Sequence, residues 1–183
     1  MLSAICSILL RRSILMDPFR KRMPSRMLQY LILAIALTAC SGPAFLKDLS
    51  PTPPDITALE QNVLQLVNDY RKTQGLNALR EEVAITQQCR WHSKSMARRG
   101  EPNHGRFDLR VQEIEKTILC ASAKENVAAV MGRNDIAAAA LEGWLQSDEH
   151  REAILGPFDL TGVGAARDSS GTYYFTQIIV LSR

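Results

Sequence analysis

The chain of 183 residues is long enough for one domain with its own core and too short for two domains of ordinary size. Hydrophobic residues make up 46% and charged residues 22%, proportions that exclude collagen-like, coiled-coil-only and wholly disordered proteins. The formal net charge is +3, but the first 40 residues hold six Lys and Arg against the single acid Asp17, and the rest carries a net charge of −2. No nucleic-acid partner is therefore expected, because the body of the chain lacks a basic excess.

Residues 1–39 are interpreted as a leader. An apolar run from Met27 to Cys40 follows a basic cluster, and it is too short for a membrane-spanning helix of about 20 residues but suits a signal peptide. The run ends in Leu37-Thr38-Ala39-Cys40, which resembles a bacterial lipoprotein signal and implies acylation of Cys40. An ordinary signal peptide and an uncleaved anchor are the alternatives. A second apolar run further upstream favours translation from Met23 or Met27.

Acylation of Cys40 predicts a lipid-anchored protein of the bacterial cell envelope. Ser41 follows the cysteine where an Asp would favour retention at the inner membrane, so the outer membrane or the periplasmic face is favoured. Residues 40–55 contain four prolines and few large apolar residues, which is typical of a tether. The folded domain is expected to occupy residues 56–183.

Of the four cysteines, only Cys89 and Cys120 lie within this domain. In an exported protein the oxidising surroundings favour a disulfide between them, which would close a loop of about 30 residues and contribute up to a few kcal/mol. Two separate buried thiols are the alternative, because free cysteine often packs as a small hydrophobic side chain.

Apolar residues spaced three and four apart predict the helices. The predicted helices are Ile56–Thr73, Glu82–Arg99, Phe107–Lys116, one through Ala137–Ala140 to Trp144 that Asn134 or Asp135 caps, and a short one that begins at Ser147. His92 falls on the apolar stripe of the second helix, so it is expected to be a hydrogen-bonded core residue. Trp91 and Trp144 are expected in the core or in a cleft wall.

The strands are predicted mainly at the end of the chain. Residues 160–166 and 172–181 are rich in β-forming residues and flank a polar turn, which predicts an antiparallel hairpin. Residues 118–120 and 126–130 are expected to form shorter strands on either side of Lys124-Glu125. Helices followed by a terminal hairpin indicate an α+β fold, with helices on a small, mainly antiparallel sheet.

Candidate chemistry is limited to three histidines and their neighbours. The sequence contains no HExxH, GxSxG, P-loop or GxGxxG motif, which excludes the enzymes that depend on those motifs. The dispersed residues that remain are His104 in a loop, Glu125, and Ser147 with His150 at a helix start.

Short motifs follow one another along the domain in a fixed order. They are Leu64–Arg71 with Gly75-Leu76, His92-Ser93, Met96-Ala97, His104, Glu125–Ala128, Trp144–Ser147, His150–Leu155, Gly162-Val163-Gly164 and Tyr174–Gln177. This ordered set resembles the bacterial branch of the CAP superfamily (SCP/TAPS, cysteine-rich secretory protein-like). The resemblance covers about residues 56–182. It implies a three-layer α-β-α sandwich with a cleft formed by His104, Glu125 and His150.

Two positions depart from the family pattern. Lys124 stands where the family has a glycine before the acid, so the turn expected there is altered, because a residue with a side chain disfavours the positive φ that glycine allows. Ser147 stands where eukaryotic members have a second glutamate, and bacterial members also have a serine there. This argues against a mechanism that needs two acids.

The residues leave the chemistry of the cleft open. His104 and His150 with Glu125 form a candidate Zn²⁺ ligand set with one position left for an activated water. Alternatively, a neighbouring carboxylate holds His150, and Glu125 binds backbone amides. A hydrolase built from Ser147, His150 and Glu125 also needs an oxyanion hole, and Ser147 is better explained as a helix cap.

We therefore expect an envelope-anchored, non-enzymatic protein that binds a lipid, an envelope polymer or a protein through its His/Glu cleft. Family resemblance alone does not select among these ligands. A metal-assisted hydrolase or peptidase is one alternative. A structural envelope protein with a vestigial cleft is another.

Overall fold

The computed structural model describes residues 53–183, so the predicted leader, the lipidation site at Cys40 and most of the tether lie outside the described residues. The elements in chain order are α1 (Ile56–Thr73), β1 (Arg80–Glu81), α2 (Val83–Arg99), α3 (Phe107–Glu115), β2 (Cys120–Val130), α4 (Ile136–Gln146), α5 (Asp148–Leu155), β3 (Leu160–Arg167) and β4 (Tyr173–Ser182). Within this part of the chain, no helix combines the length and the hydrophobicity needed to cross a membrane.

The strands form one sheet in the order β1-β3-β4-β2. Strand β1 runs parallel to β3, whereas β3 with β4 and β4 with β2 are antiparallel. The predicted α+β class and the mainly antiparallel sheet are confirmed. Strand β1 is not predicted from the sequence, because a strand of two residues carries no detectable period.

Helices cover both faces of the sheet and bury two separate hydrophobic clusters. On one face, α1, α4 and α5 pack on Val163, Phe175 and Ile179. On the other face, α2 and α3 pack on Ile178 and Val180. This is the three-layer arrangement that the family resemblance implies.

Local capping fixes most helix ends where the sequence places them. Asp55 accepts a hydrogen bond from Thr57 N at the start of α1, and Asp135 accepts one from Ala138 N at the start of α4. Gly100 ends α2 with a left-handed φ of 77°, which glycine adopts without steric cost. Ser147 occupies the N-cap position of α5, but its side chain makes no capping hydrogen bond.

Strand β2 is longer than predicted. It runs without interruption from Cys120 to Val130 and pairs with β4, with one register shift between Cys120 and Ser122. The expected break at Lys124-Glu125 is wrong, because Lys124 pairs with Ile179 in the middle of the ladder. No turn forms at Lys124, so a glycine is not needed there.

The predicted disulfide is absent, and Cys89 and Cys120 are both free thiols. Cys89 is fully buried under β3 and donates to Gly162 O at 3.2 Å. Cys120 begins β2, and β4 lies between β2 and β3. Since neighbouring strands are about 4.8 Å apart, the intervening strand separates the two thiols by more than a disulfide spans.

The two tryptophans differ in exposure. Trp144 is buried in the core, as expected, with 1% of its surface exposed. Trp91 is 71% exposed, so it is not a core residue, and it lines a shallow surface depression instead. Trp91 lies beside, not within, the stripe of α2 that contains Cys89, His92 and Met96.

Two glycines of β3, Gly162 and Gly164, let the backbone of α2 pack directly against the backbone of β3. A Cβ atom on Gly162 would lie 2.3 Å from Thr86 N, and one on Gly164 would lie 2.2 Å from Arg90 N. Ser93 Oγ donates to Gly164 O at 2.9 Å in the same contact. Only a residue without a side chain fits under the helix at these positions.

We expect Gly164→Ala to lower the free energy of unfolding by about 1–3 kcal/mol or more, because α2 must move away from the sheet. Gly143 is the matched control. It lies in α4, and an added Cβ meets nothing within 4 Å, so Gly143→Ala should raise stability by up to about 1 kcal/mol. Urea unfolding measures both changes. Equal effects of the two substitutions would contradict this account of the α2–β3 contact.

Candidate functional site

A groove of about 460 Å³ lies at the outer edge of β2. The loop before α3 contributes His104 to it, α5 contributes His150, and β2 contributes Lys124 and Glu125. The groove therefore joins the two helical layers around the open edge of the sheet. The three cleft residues that the resemblance implies, His104, Glu125 and His150, all line it.

Glu125 is the buried centre of the site, with 1% of its side chain exposed. Its Oε2 accepts from Arg110 Nε at 2.9 Å and from Arg110 Nη2 at 2.5 Å. Arg110 also donates from Nη1 to Gly105 O at 2.7 Å. The Arg110 guanidinium thus neutralises the carboxylate and holds the loop that carries His104.

The second carboxylate oxygen orients His104. Glu125 Oε1 lies 3.0 Å from His104 Nδ1. A carboxylate only accepts, so Nδ1 must carry a proton, and in the neutral imidazole Nε2 is then the acceptor. The His104 side chain is 51% exposed, so part of the ring is accessible from the groove.

His150 faces His104 from the first turn of α5. The two ring centroids are 5.9 Å apart, and the rings are tilted by 38°. Burial lowers the pKa of His150 below its ordinary value, His104 lowers it further, and Glu149 opposes the shift. Asn126 Nδ2 donates to His150 O at 3.4 Å and to Gln177 Oε1 at 3.2 Å, which ties α5 to the sheet.

Helix α2 fixes the loop before His104. His92 Nε2 donates to Asn103 O at 2.6 Å, and Asn103 N donates to Met96 Sδ at 3.4 Å. His92 is buried, and this burial lowers its pKa. The predicted role of His92 as a hydrogen-bonded core residue is confirmed.

Arg71 fixes the opposite wall of the groove. This buried side chain donates to the carbonyl oxygens of Ile154 (2.5 Å), Gly156 (3.0 Å) and Phe158 (3.2 Å). Gly156 and Phe158 also line the groove. Arg71 therefore acts as a structural clamp on the segment between α5 and β3.

Ser147 does not join the other candidate residues. It lies between α4 and α5 and is not part of the groove lining. Within residues 53–183, its hydroxyl makes no hydrogen bond to His150. A serine nucleophile needs a base within hydrogen-bond reach, so this arrangement gives no support to a Ser147-His150-Glu125 hydrolase.

The side chains do not fit the Zn²⁺ site considered from the sequence. Across residues 53–183, no group of three or more His, Cys, Asp or Glu side chains is arranged to hold a metal ion. Glu125, the expected third ligand, has one oxygen on Arg110 and the other on His104. His104 and His150 alone are fewer than the three protein ligands of an ordinary catalytic zinc site.

Arg110 is a site residue that was not predicted from the sequence. It lies on the inner face of α3, three residues after Phe107 and four residues before Ile114, and 7% of its surface is exposed. An arginine at an apolar position of a short amphipathic helix is the signal that points to a buried acidic partner.

Arg110→Met should lower the free energy of unfolding by about 3–5 kcal/mol, because it leaves the buried Glu125 carboxylate without its main partner. The double variant Arg110→Met/Glu125→Gln should recover a large part of this loss, since no buried charge remains. Urea unfolding of both variants at neutral pH tests the pair. Equal losses in the single and double variants would rule out charge burial as the cause.

The pKa of His150 should lie below its ordinary value of 6.5, and His104→Ala should raise it. NMR titration of the imidazole resonances measures this shift. Because the folded state resists protonation, stability should be full above pH 6.5 and should fall as the pH drops from there toward the folded-state pKa. His92, whose pKa is also lowered by burial, should add to this loss of stability at low pH. A midpoint at or above the ordinary value would refute the desolvation of His150.

The Cysteine-rich secretory protein family model matches residues 64–179. The chain is 27% identical over 151 residues to the uncharacterized protein YkwD of Bacillus subtilis (strain 168), a match that covers 78% of this chain and 56% of YkwD. The chain thus spans little more than half the length of this relative.

Two solved structures share the fold. An extracellular protein containing an SCP domain from Bacillus anthracis has a TM-score of 0.57 and 27% identity, over 72% of this chain and 44% of that one. An outer surface protein from Borrelia burgdorferi has a TM-score of 0.62 and 16% identity, over 71% of this chain and 97% of that one. With the family match over more than half of its length, the chain belongs to the cysteine-rich secretory protein (CAP) family.

Proposed function

We propose that this protein is a lipid-anchored protein of the bacterial cell envelope that binds a ligand in the groove between His104 and His150. The ligand is a lipid, a segment of an envelope polymer or a loop of a protein. The observation that carries the proposal is the neutralised, buried Glu125, which supports an open groove with two histidines at its mouth.

The charges around the groove favour binding of a polar ligand with little net charge. Lys124 supplies a positive charge, and Glu149 and Glu152 supply negative charges. The charge of Glu125 is balanced internally by Arg110. With both signs present on the lining, hydrogen bonds to the imidazoles would contribute more to recognition than net attraction.

The arrangement favours binding over catalysis. Glu125 would have to leave Arg110 before it could act as a base or a metal ligand, and the free energy of breaking a buried pair opposes this. Within residues 53–183, the Ser147 hydroxyl makes no hydrogen bond to His150. The metal-assisted hydrolase therefore has no specific observation in its favour. The other alternative, a structural protein with a vestigial groove, is distinguished from a ligand-binding protein by the experiment below.

The names of similar proteins support an envelope location. The relative from Bacillus anthracis is described as extracellular, and that from Borrelia burgdorferi as an outer surface protein. Together with the predicted lipoprotein signal that ends at Cys40, they favour a protein that is exported and anchored by an acylated N-terminus.

Protein purified from envelopes should carry a bound small molecule or polymer fragment that native mass spectrometry detects. His104→Ala/His150→Ala should reduce its occupancy at least about tenfold, because the double variant removes two polar groups from the groove, each worth roughly 1 kcal/mol as a hydrogen bond. Lys72→Ala/Asn134→Ala changes two exposed residues outside the groove and should keep the ligand.

Equal occupancy in the two double variants would show that the groove is not the binding site. Hydrolysis of peptides or esters that disappears with the histidine variant would replace the proposal with the hydrolase. Absence of any ligand, together with an unchanged envelope phenotype of the histidine variant, would favour the structural role.

A further inference from the structure

We propose that the exposed side of α2 is a second functional surface, which docks on an anionic membrane. This Trp91 surface consists of Trp91, Lys94, Arg98, Arg99, Arg106 and Leu109. It lies on the side of α2 that faces away from the sheet. The proposal goes beyond ligand binding in the groove and does not depend on it.

The centre of the Trp91 surface is apolar. Trp91 is 71% exposed, and Leu109 of α3 is 44% exposed. Both side chains line the same shallow depression of about 320 Å³. A tryptophan has an apolar body and a polar N–H group, which suits the boundary between lipid tails and headgroups.

Basic residues surround this apolar centre. The 17 residues of α2 include four Lys and Arg and no acid. Arg90 is paired with Glu60, but no carboxylate of the described residues lies within 4 Å of Lys94, Arg98 or Arg99. The chain after the leader carries a net charge of −2, so the positive charge is concentrated locally.

Arg106 adds a further positive charge to the Trp91 surface, and its backbone has an unfavourable conformation. Its φ of 61° makes it the one non-glycine residue with positive φ in residues 53–183. It precedes α3 without a side-chain capping bond and lines the same depression as Trp91. Residues held in sparsely populated backbone conformations cluster at binding sites, which is consistent with a binding role for this depression.

Two nearby acids, Glu113 and Asp168, form no salt bridge with the basic residues of this surface. Glu113 lies at the rim of the depression and pairs with Lys116 at 2.7 Å. Asp168 lies near Lys94 and Arg98, but its Oδ1 accepts from Ser170 N and Thr172 N in its own turn. The basic side chains are therefore available to phosphate groups.

The apolar centre favours a membrane over a soluble polyanion. A polyanion needs only the cations, whereas a membrane interface accommodates cations at the headgroups and apolar side chains just below them. Val83, at the start of α2, is also exposed, at 67%. The predicted tether of 16 residues reaches at most about 55 Å, so acylation of Cys40 would keep this surface near a membrane.

Residues 53–183 can be tested alone, because they contain both hydrophobic clusters. The structural match also covers 97% of the chain from Borrelia burgdorferi, so that protein consists of little more than this fold. We expect this fragment to sediment with phosphatidylcholine vesicles only when they contain phosphatidylglycerol, and salt should weaken the binding. Trp91 emission should shift to the blue. The buried Trp144 gives a constant background.

Lys94→Gln/Arg98→Gln should lower the vesicle partition coefficient about tenfold or more, since each cation near an anionic surface contributes roughly a fivefold factor. Lys72→Gln/Arg133→Gln is the matched control, with the same loss of charge at exposed positions elsewhere, and should change it less than twofold. Trp91→Ala should weaken binding and abolish the blue shift. His104→Ala/His150→Ala should leave vesicle binding unchanged, which separates this surface from the groove.

Equal binding to vesicles without phosphatidylglycerol would overturn the proposal. So would equal losses in the two glutamine double variants. Binding of dextran sulfate with no emission shift on anionic vesicles would assign the surface to a soluble polyanion instead.

Discussion

The backbone contact between α2 and β3 positions both surfaces of this protein. Gly162 and Gly164 provide room for the helix, and Ser93 and Cys89 hydrogen-bond to the carbonyl oxygens of these glycines. With the helix held in this way, its inner side directs His92 and Met96 to the loop before His104, and its outer side exposes Trp91. A shift of α2 away from the sheet would therefore alter the groove and the basic surface together.

The Arg110–Glu125 pair extends this constraint to the chemistry of the groove. A buried carboxylate is unfavourable unless a cation and hydrogen bonds compensate it, and here Arg110 supplies both while His104 takes the remaining oxygen. The pair links α3 to β2. Its hydrogen bonds to Gly105 O and His104 also connect the loop that carries His104 to these two elements. The same contacts occupy both carboxylate oxygens and oppose metal ligation or acid–base chemistry at Glu125, so the two imidazoles of the groove lie beside a neutralised ion pair.

The sequence was informative where the determining interactions are local. Asp55, Gly100 and Asp135 set helix ends, and the predicted ends agree because each signal acts within one turn. The sequence was less informative about features that depend on the order of the strands in the sheet. The parallel β1 is too short to detect, and the separation of Cys89 from Cys120 depends on β4 lying between two other strands. Trp91 is different, since its position beside the apolar stripe of α2 already favours the exposed of its two predicted locations, a cleft wall, over the core.

The groove and the Trp91 surface share the loop at residues 103–106. His104 lines the groove, and Arg106, two residues later, lines the depression beside Trp91. Arg110 holds the intervening Gly105 through its carbonyl oxygen while it pairs with Glu125. Contacts that Arg106 makes with lipid phosphates would therefore act on a loop whose other side orients His104. The two proposed surfaces thus share one short, anchored segment, and the left-handed backbone of Arg106 is the point at which the chain turns from one to the other.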